Sequence, residues 1–114
     1  MNEFLFLYRG GERGNESPAQ MQQEMQRWVT WLGKLRESGN VKDMGQPLER
    51  GAGKVVRGKT RAVTDGPYAE KDVVGGYTLV QAKDLAHAVE LSLGCPIFEF
   101  GGLVEVRPVM MMKG

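Results

Sequence analysis

The chain has 114 residues, of which 41% are hydrophobic and 25% charged, and fifteen basic against fourteen acidic residues leave a net charge of +1. This length predicts a single domain, residues 1–114, with one core. The balanced charge lacks the basic concentration that a phosphate-tracking surface needs, so we expect no direct nucleic-acid partner. The apolar run Phe4 to Tyr8 is too short for a signal peptide or a membrane span, which predicts a cytoplasmic protein without a membrane partner.

The first predicted element is a strand from Glu3 to Arg9. Its alternating residues form two apolar sets, Phe4, Phe6 and Tyr8 on one face and Leu5 and Leu7 on the other. Helices cover one face of such a strand, so the other face needs a cover that a small chain has to borrow.

A long helix is predicted to begin at Ser17-Pro18, where serine caps the helix and Gln20 completes a capping box. The predicted buried stripe is Met21, Met25, Trp28, Val29, Leu32 and Leu35. Gly39 supplies the left-handed residue that ends the helix.

The segment from Asn40 to Gly53 is interpreted as a loop with a short strand. Next come two β-branched strands, Lys54 to Arg57 and Thr60 to Thr64, joined by a two-residue turn at Gly58-Lys59. Residues 53–60 match the phosphate-loop spacing G-x-x-x-x-G-K-T. We reject that function because the loop requires a following helix, whereas strands are predicted on both sides.

Asp65 to Tyr68 predicts a turn, and Tyr77 to Gln81 a strand. A second helix is capped by Asp84, and its predicted buried residues are Leu85, Ala88, Val89 and Leu93. Val104 to Val109 is the last predicted strand. This order predicts an α+β, ferredoxin-like split βαβ fold with an antiparallel sheet, which we expect to pair face to face with a second copy as a homodimeric barrel.

Metal and cofactor chemistry have little support in the residue types. One histidine, His87, and one cysteine, Cys95, cannot supply a usual zinc set, and we expect no metal and no cofactor. Cys95 lies eight positions after His87, about 12 Å along a helix, so we expect no Cys-His catalytic pair. Trp28 and Trp31 fit a core or an interface better than a ligand platform.

Charged residues alternate with apolar ones in two predicted strands, at Arg61, Glu105 and Arg107. Two interpretations stay open: the charges line a polar pocket beside Tyr8 and the Asp65 turn inside a dimer, or they form a hydrated surface. Asp65 likewise has two interpretations, a turn residue that accepts backbone hydrogen bonds or a general acid or base.

Several motifs in order resemble the YCII-related, or DGPF-domain, family. They are Asp65-Gly66-Pro67-Tyr68 with Glu70 following, Gly75-Gly76-Tyr77, Cys95-Pro96 and Val104-Glu105-Val106-Arg107-Pro108. Tyr68 stands where the name-giving motif has phenylalanine. The resemblance implies a ferredoxin-like subunit and a dimeric α+β barrel. Relatives in the wider barrel group include cofactor-free oxygenases, isomerases and haem enzymes, so the fold does not select a reaction.

The resemblance also implies an accessory role in transcriptional regulation, because some DGPF-type proteins are encoded beside sigma factors of the extracytoplasmic-function class. In the YCII branch a histidine early in the first helix pairs with an aspartate. This chain has no histidine between Ser17 and Gly39, so only Asp65 remains as a counterpart.

The leading hypothesis is a dimeric module that binds a small molecule in a polar pocket, with Tyr8, Arg61, Tyr68 and Arg107 as ligand-binding residues beside Asp65 and Glu70. The alternative is a cofactor-independent isomerase, lyase or oxygenase in which Asp65 or Glu70 moves a proton and an arginine stabilises an anion. A third hypothesis makes the motif a folding and dimerisation element.

Overall fold

The computed structural model describes residues 1–11, 16–68 and 71–112. Its strands are β1 (Asn2–Arg9), β2 (Val41–Asp43), β3 (Lys54–Arg57), β4 (Ala62–Asp65), β5 (Val74–Ala82) and β6 (Leu103–Pro108). Its helices are α1 (Pro18–Glu37) and α2 (Leu85–Ser92), and a 3₁₀ helix spans Pro96–Phe100. Part of the connection predicted before α1, residues 12–15, lies outside the described residues.

In the described part of the chain, four strands form an antiparallel sheet in the order β2-β5-β1-β6. The two inner strands are β5 and β1, and Phe6 of β1 pairs with Thr78 on one side and with Val106 on the other. This strand order, with α1 connecting β1 to β2 and α2 lying between β5 and β6 in the chain, is the ferredoxin-like arrangement. The predicted α+β fold is therefore confirmed.

Both helices pack on one face of this sheet. Phe4, Phe6 and Tyr8 of β1 form one buried cluster with Trp31 of α1 and Ala88 of α2. Phe6 is 0% exposed, and its ring stacks on that of Trp31 with the centroids 6.3 Å apart. The first apolar set of β1 therefore forms the centre of the core, as its alternation predicted.

The other face of the sheet, which we call the open sheet face, has an apolar centre. Leu5 lies opposite Leu79 of β5 and Arg107 of β6, and Leu7 lies opposite Tyr77 and Glu105. The four apolar side chains in this set, Leu5, Leu7, Tyr77 and Leu79, are half-buried. Both helices lie on the opposite face, so neither of them covers this one.

The capping box at the start of α1 is confirmed. The Gln20 backbone N–H donates to Ser17 Oγ at 3.2 Å, and the Ser17 N–H donates to Gln20 Oε1 at 2.8 Å. Gly39, with φ of +79°, provides the left-handed residue just beyond the helix. Both helix boundaries follow from local sequence because caps involve residues only a few positions apart.

The predicted buried stripe of α1 is partly wrong. Met21, Met25 and Val29 are exposed, whereas Glu24, Trp31 and Leu35 are buried. Trp28 and Leu32 are half-buried against the core. The helix is rotated about its axis relative to the prediction. Burying the large Trp31 side chain removes more apolar surface from water than burying a methionine or a valine on the predicted face would.

The predicted buried side of α2 is also mostly wrong. Leu85, Val89 and Leu93 are exposed, and Ala88 and Ser92 are buried. Small side chains let the helix axis lie close to β1 and β5, and the Ser92 hydroxyl is satisfied by donating to the Val89 carbonyl oxygen at 2.6 Å. Small residues and the half-buried Leu91 thus form the contact face in place of the predicted residues.

The hairpin of β3 and β4 is a separate two-stranded sheet inserted between β2 and β5. Its predicted two-residue turn is wrong, because β4 begins at Ala62 and residues 58–61 form a four-residue loop. A two-residue turn of the common type needs a positive φ at both central residues; here Gly58 (+68°) and Arg61 (+55°), at the two ends of the loop, have the positive values. Residues 53–60 contain β3 and are followed by β4, and no helix begins there. This confirms that the segment is not a phosphate loop.

Candidate functional site

A cavity of about 430 Å³ lies between the first half of α1, the sheet and the loop that follows β2. We call it the ligand cavity. Its lining is mainly aromatic side chains, methionines and glycine backbone: Tyr8, Gly10, Met21, Glu24, Met25, Trp28, Leu32, Met44, Gly45, Gln46, Pro47, Arg50, Gly75, Gly76, Tyr77, Thr78 and Ile97.

The loop wall of the ligand cavity is held directly on β5 by backbone hydrogen bonds. The Leu48 N–H donates to the Gly75 carbonyl oxygen at 2.9 Å, and the Tyr77 N–H donates to the Gln46 carbonyl oxygen at 3.4 Å. Gly45 has φ of +74°, and a Cβ there would lie 1.7 Å from the Tyr77 carbonyl oxygen. This approach therefore requires glycine, and it fixes the position of the wall.

A chain of hydroxyl groups runs along the sheet side of the ligand cavity. The Tyr8 hydroxyl donates to Thr78 Oγ1 at 2.7 Å, and the Thr78 hydroxyl donates to the Met44 carbonyl oxygen at 2.9 Å. Burial raises the pKa of Tyr8 well above its ordinary value. Tyr8 is therefore a neutral phenol at physiological pH, suited to orienting a polar group and unsuited to acting as a base.

The helix side of the ligand cavity is mainly apolar, and Trp28 is its aromatic residue. The rings of Tyr8 and Trp28 meet edge to face with centroids 4.8 Å apart, and Trp28 and Trp31 do so at 5.8 Å. Trp28 Nε1 is buried without a hydrogen-bond partner among the described residues. Glu24, which is 5% exposed, contributes an acidic side chain to this lining. The wall thus offers an apolar surface with one aromatic ring and few polar positions.

Arg50 joins the loop wall to the residues that follow β1. Its Nη1 donates to the Gly11 carbonyl oxygen at 3.2 Å and its Nη2 to the Gly10 carbonyl oxygen at 3.3 Å. Because Arg50 belongs to the lining of the ligand cavity, it places a positive charge beside that space.

The structure separates the site residues that the sequence predicts. Tyr8 lines the ligand cavity, whereas Arg107 lies on the open sheet face, the opposite side of the sheet from Tyr8. Arg61 and Asp65 lie on the hairpin, and Tyr68 follows it. Glu70 lies outside the described residues. Within one chain the described members therefore form no common pocket, and the roles predicted for them stay predictions.

Asp65 is accessible to water in the single chain. Its side chain is 91% exposed, and Oδ1 accepts a hydrogen bond from Lys54 Nζ at 2.5 Å across the hairpin. Tyr68 is exposed too, with the guanidinium carbon of Arg57 5.2 Å from its ring centroid. The half-buried setting that would make Asp65 an effective acid or base is not present in the isolated chain.

Arg107 belongs to a charge cluster on the open sheet face. Arg9 Nε donates to Glu105 Oε1 at 2.7 Å, and Arg107 Nη1 donates to Glu105 Oε2 at 3.3 Å. The hydrogen bond from Arg9, and secondarily the charges of both arginines, lower the pKa of Glu105. The cluster therefore stays ionised and is compatible with either interpretation that the sequence left open.

Cys95 and His87 show no catalytic pairing. The Cys95 thiol is buried, which raises its pKa to about 12 and keeps it protonated. His87 Nδ1 instead accepts a hydrogen bond from the Lys83 N–H at 3.0 Å at the start of α2. Over residues 1–11, 16–68 and 71–112, no group of three or more His, Cys, Asp or Glu side chains is placed to hold a metal ion. No helix in these ranges is long and apolar enough to cross a membrane.

Sequence reasoning missed most of the ligand cavity. It assigned Trp28 to the core, interpreted Met21 and Met25 as buried, and treated the segment containing Met44 and Gly45 as an uninformative loop. One signal was available in the sequence: a glycine such as Gly45 often marks a place where another backbone segment approaches closely.

Comparison with known proteins identifies a family for this chain. The family model described as the YCII-related domain matches residues 5–113. No curated protein matches the sequence. The match covers nearly all of the chain, including both sides of the ligand cavity and every motif that carried the resemblance. The chain therefore belongs to the YCII-related domain family.

Proposed function

We propose that this chain binds a small, planar and largely apolar molecule in the ligand cavity. The observation that carries the proposal is a preformed space of about 430 Å³ with aromatic and methionine walls. Small-molecule sites in proteins generally fall between about 300 and 1,000 Å³ and combine apolar walls with a few polar groups. The ligand cavity has this character.

The polar groups around the ligand cavity favour a ligand with one polar end. The oxygens of Tyr8 and Thr78 both donate inside the protein, so Tyr8 Oη can accept a hydrogen bond from a ligand hydroxyl or amine. Methionines on α1 and in the loop can adjust to the outline of the apolar part. An aromatic compound of one or two rings with a hydroxyl or amino substituent meets both requirements.

We also propose that the open sheet face pairs with a second copy of the chain. Its centre of Leu5, Leu7, Tyr77 and Leu79 is apolar and lies away from both helices. In a two-fold pair the same patch meets itself, so each apolar centre covers the other and the flanking charges lie at the rim. Such a dimer would also change the surroundings of Arg107, for which the predicted ligand-binding role could then be tested.

A substitution at the edge of the ligand cavity tests the binding proposal. Met21 lines the cavity from an exposed position on α1, so Met21→Trp should fill the space without unfolding the helix. Gln22, the next residue, is exposed and absent from the lining, which makes Gln22→Trp a matched control for the added indole.

The assay is thermal unfolding against a panel of one- and two-ring aromatic phenols, anilines and carboxylates. A ligand at one hundred times its dissociation constant should stabilise the wild type and Gln22→Trp by about 2.7 kcal/mol, a rise in Tm of several degrees. Met21→Trp should lose most of this shift while keeping its own Tm near that of the wild type. Equal shifts in all three proteins would place binding elsewhere, and no shift with any compound would contradict the proposal.

A further inference from the structure

The hairpin is exposed at every residue except Val55, which is half-buried. We call residues 54–65, which comprise β3, the loop and β4, the arm. Val56 of β3 and Val63 of β4 lie directly opposite each other on one face of the arm. They are 61% and 58% exposed. Cross-strand valine pairs normally stabilise a sheet by packing together on a covered face, whereas in this hairpin both valine side chains are exposed to water.

The arm has little to stabilise it by itself. A two-stranded hairpin is at best marginally stable in water and normally needs a third strand or a packed face. The ion pair between Lys54 and Asp65 that closes its base joins two exposed side chains, and such pairs contribute little. The valine face is therefore expected to pack against something outside the single chain.

The shape and charge of the chain favour a second copy as the occupant. The chain measures 48 × 45 × 18 Å with a radius of gyration of 15.8 Å, against about 13 Å for a compact domain of this length. The arm has four basic residues and one acidic residue, a net charge of +3, while the whole chain carries +1. The remainder therefore carries −2, so an arm that reaches another copy meets opposite net charge.

We propose that the valine face of the arm packs on the second copy in the dimer, so that the arm of each protomer contacts the other protomer. We call this reciprocal contact the clasp. The inference rests on the proposed pairing of open sheet faces and adds a second contact to it. Val56 and Val63 form the apolar part of this contact, and Lys59 and Arg61 at the loop supply its positive charge.

The test compares the wild type with the double variant Val56→Thr/Val63→Thr. Threonine keeps the side-chain shape and the preference for strands while replacing a methyl group by a hydroxyl. Val29→Thr on the exposed side of α1 is the control for the same chemical change elsewhere. Sedimentation equilibrium gives the dimer dissociation constant of each protein. Hydrogen exchange of the arm amides across the same concentrations reports the contact in the unmodified wild type.

The proposal predicts a dissociation constant at least about tenfold higher for the double variant than for the wild type or Val29→Thr, because the contact occurs twice in a symmetric dimer. It also predicts slower exchange of the arm amides as the wild type dimerises. A wild-type dimer with unchanged arm exchange, and a double variant that dimerises equally well, would overturn the clasp and leave the sheet-face dimer standing. A wild type that stays monomeric would overturn both the sheet-face dimer and the arm contact. The same holds if the protein stays monomeric and its arm amides become protected only when a polyanion such as heparin is added.

Discussion

Removing the Thr78 hydroxyl is expected to destabilise the fold measurably. Thr78 is 1% exposed, accepts from the Tyr8 hydroxyl at 2.7 Å and donates to the Met44 carbonyl oxygen at 2.9 Å. Thr78→Val keeps the shape and removes both hydrogen bonds. Each net hydrogen bond is worth about 1 kcal/mol, and a group left buried without a partner adds about 1 kcal/mol or more. We therefore expect a loss of about 2 to 3 kcal/mol in the free energy of unfolding.

Tyr8→Phe provides the second side of a double-mutant cycle. It removes only the bond between the two side chains, because Thr78 can still donate to Met44, so we expect a loss of about 1 kcal/mol. The two changes share one hydrogen bond, so the double variant should be less destabilised than the sum of the single variants by about 1 kcal/mol.

Urea unfolding at pH 7, followed by tryptophan fluorescence, measures all four proteins under the same conditions. The midpoints should shift at constant slope, since the surface exposed on unfolding is unchanged. A Thr78→Val protein within about 0.5 kcal/mol of the wild type, or a coupling energy near zero, would refute the hydroxyl chain as a stabilising element. In that case water in the ligand cavity would be satisfying the same groups.

Two further predictions concern a glycine and a carboxylate. Gly45→Ala should lower Tm by well over ten degrees or prevent folding, because the added Cβ would lie 1.7 Å from a β5 carbonyl oxygen and φ is +74°. The control is Gly51→Ala, whose Cβ would have nothing within 4 Å and which should change Tm by no more than a few degrees. Equal effects of the two substitutions on Tm would contradict the reasoning. The lowered pKa of Glu105 means that its ion pair with Arg9 contributes stability above the unfolded pKa of about 4.3 and that this contribution is lost as the pH falls through the folded value. Urea titrations from pH 6 to pH 2 should therefore show a shallower loss of stability for Glu105→Gln than for the wild type, and parallel curves would contradict the assignment.

Local patterns in the sequence predicted the elements that depend on neighbouring residues. The capping box of Ser17 and Gln20 formed as expected because both partners lie within one helical turn. The alternation in β1 predicted a strand with two apolar faces, and the structure places one of them under the helices and the other on the open sheet face. The order of elements then left few topologies, and the ferredoxin-like sheet is the one observed.

Other details depended on competition between residues. The period of α1 allowed several faces to be the buried one, and the larger apolar area of Trp31 decided among them. The arm needed two residues at positive φ, and the sequence pattern located one at Gly58 without indicating that Arg61 would supply the other. Periodicity and turn statistics describe average environments, so they do not rank such alternatives.

The sequence by itself determined the family, the order of strands and helices, and the two apolar faces of β1, because periodicity, caps and ordered motifs express these properties over short stretches of chain. Only the tertiary structure decided where a ligand could bind. The ligand cavity joins Tyr8, Trp28, Met44 and Thr78, residues far apart in the chain whose proximity depends on a loop lying directly over β5 at Gly45. Long-range packing created this space, and no local pattern encodes it.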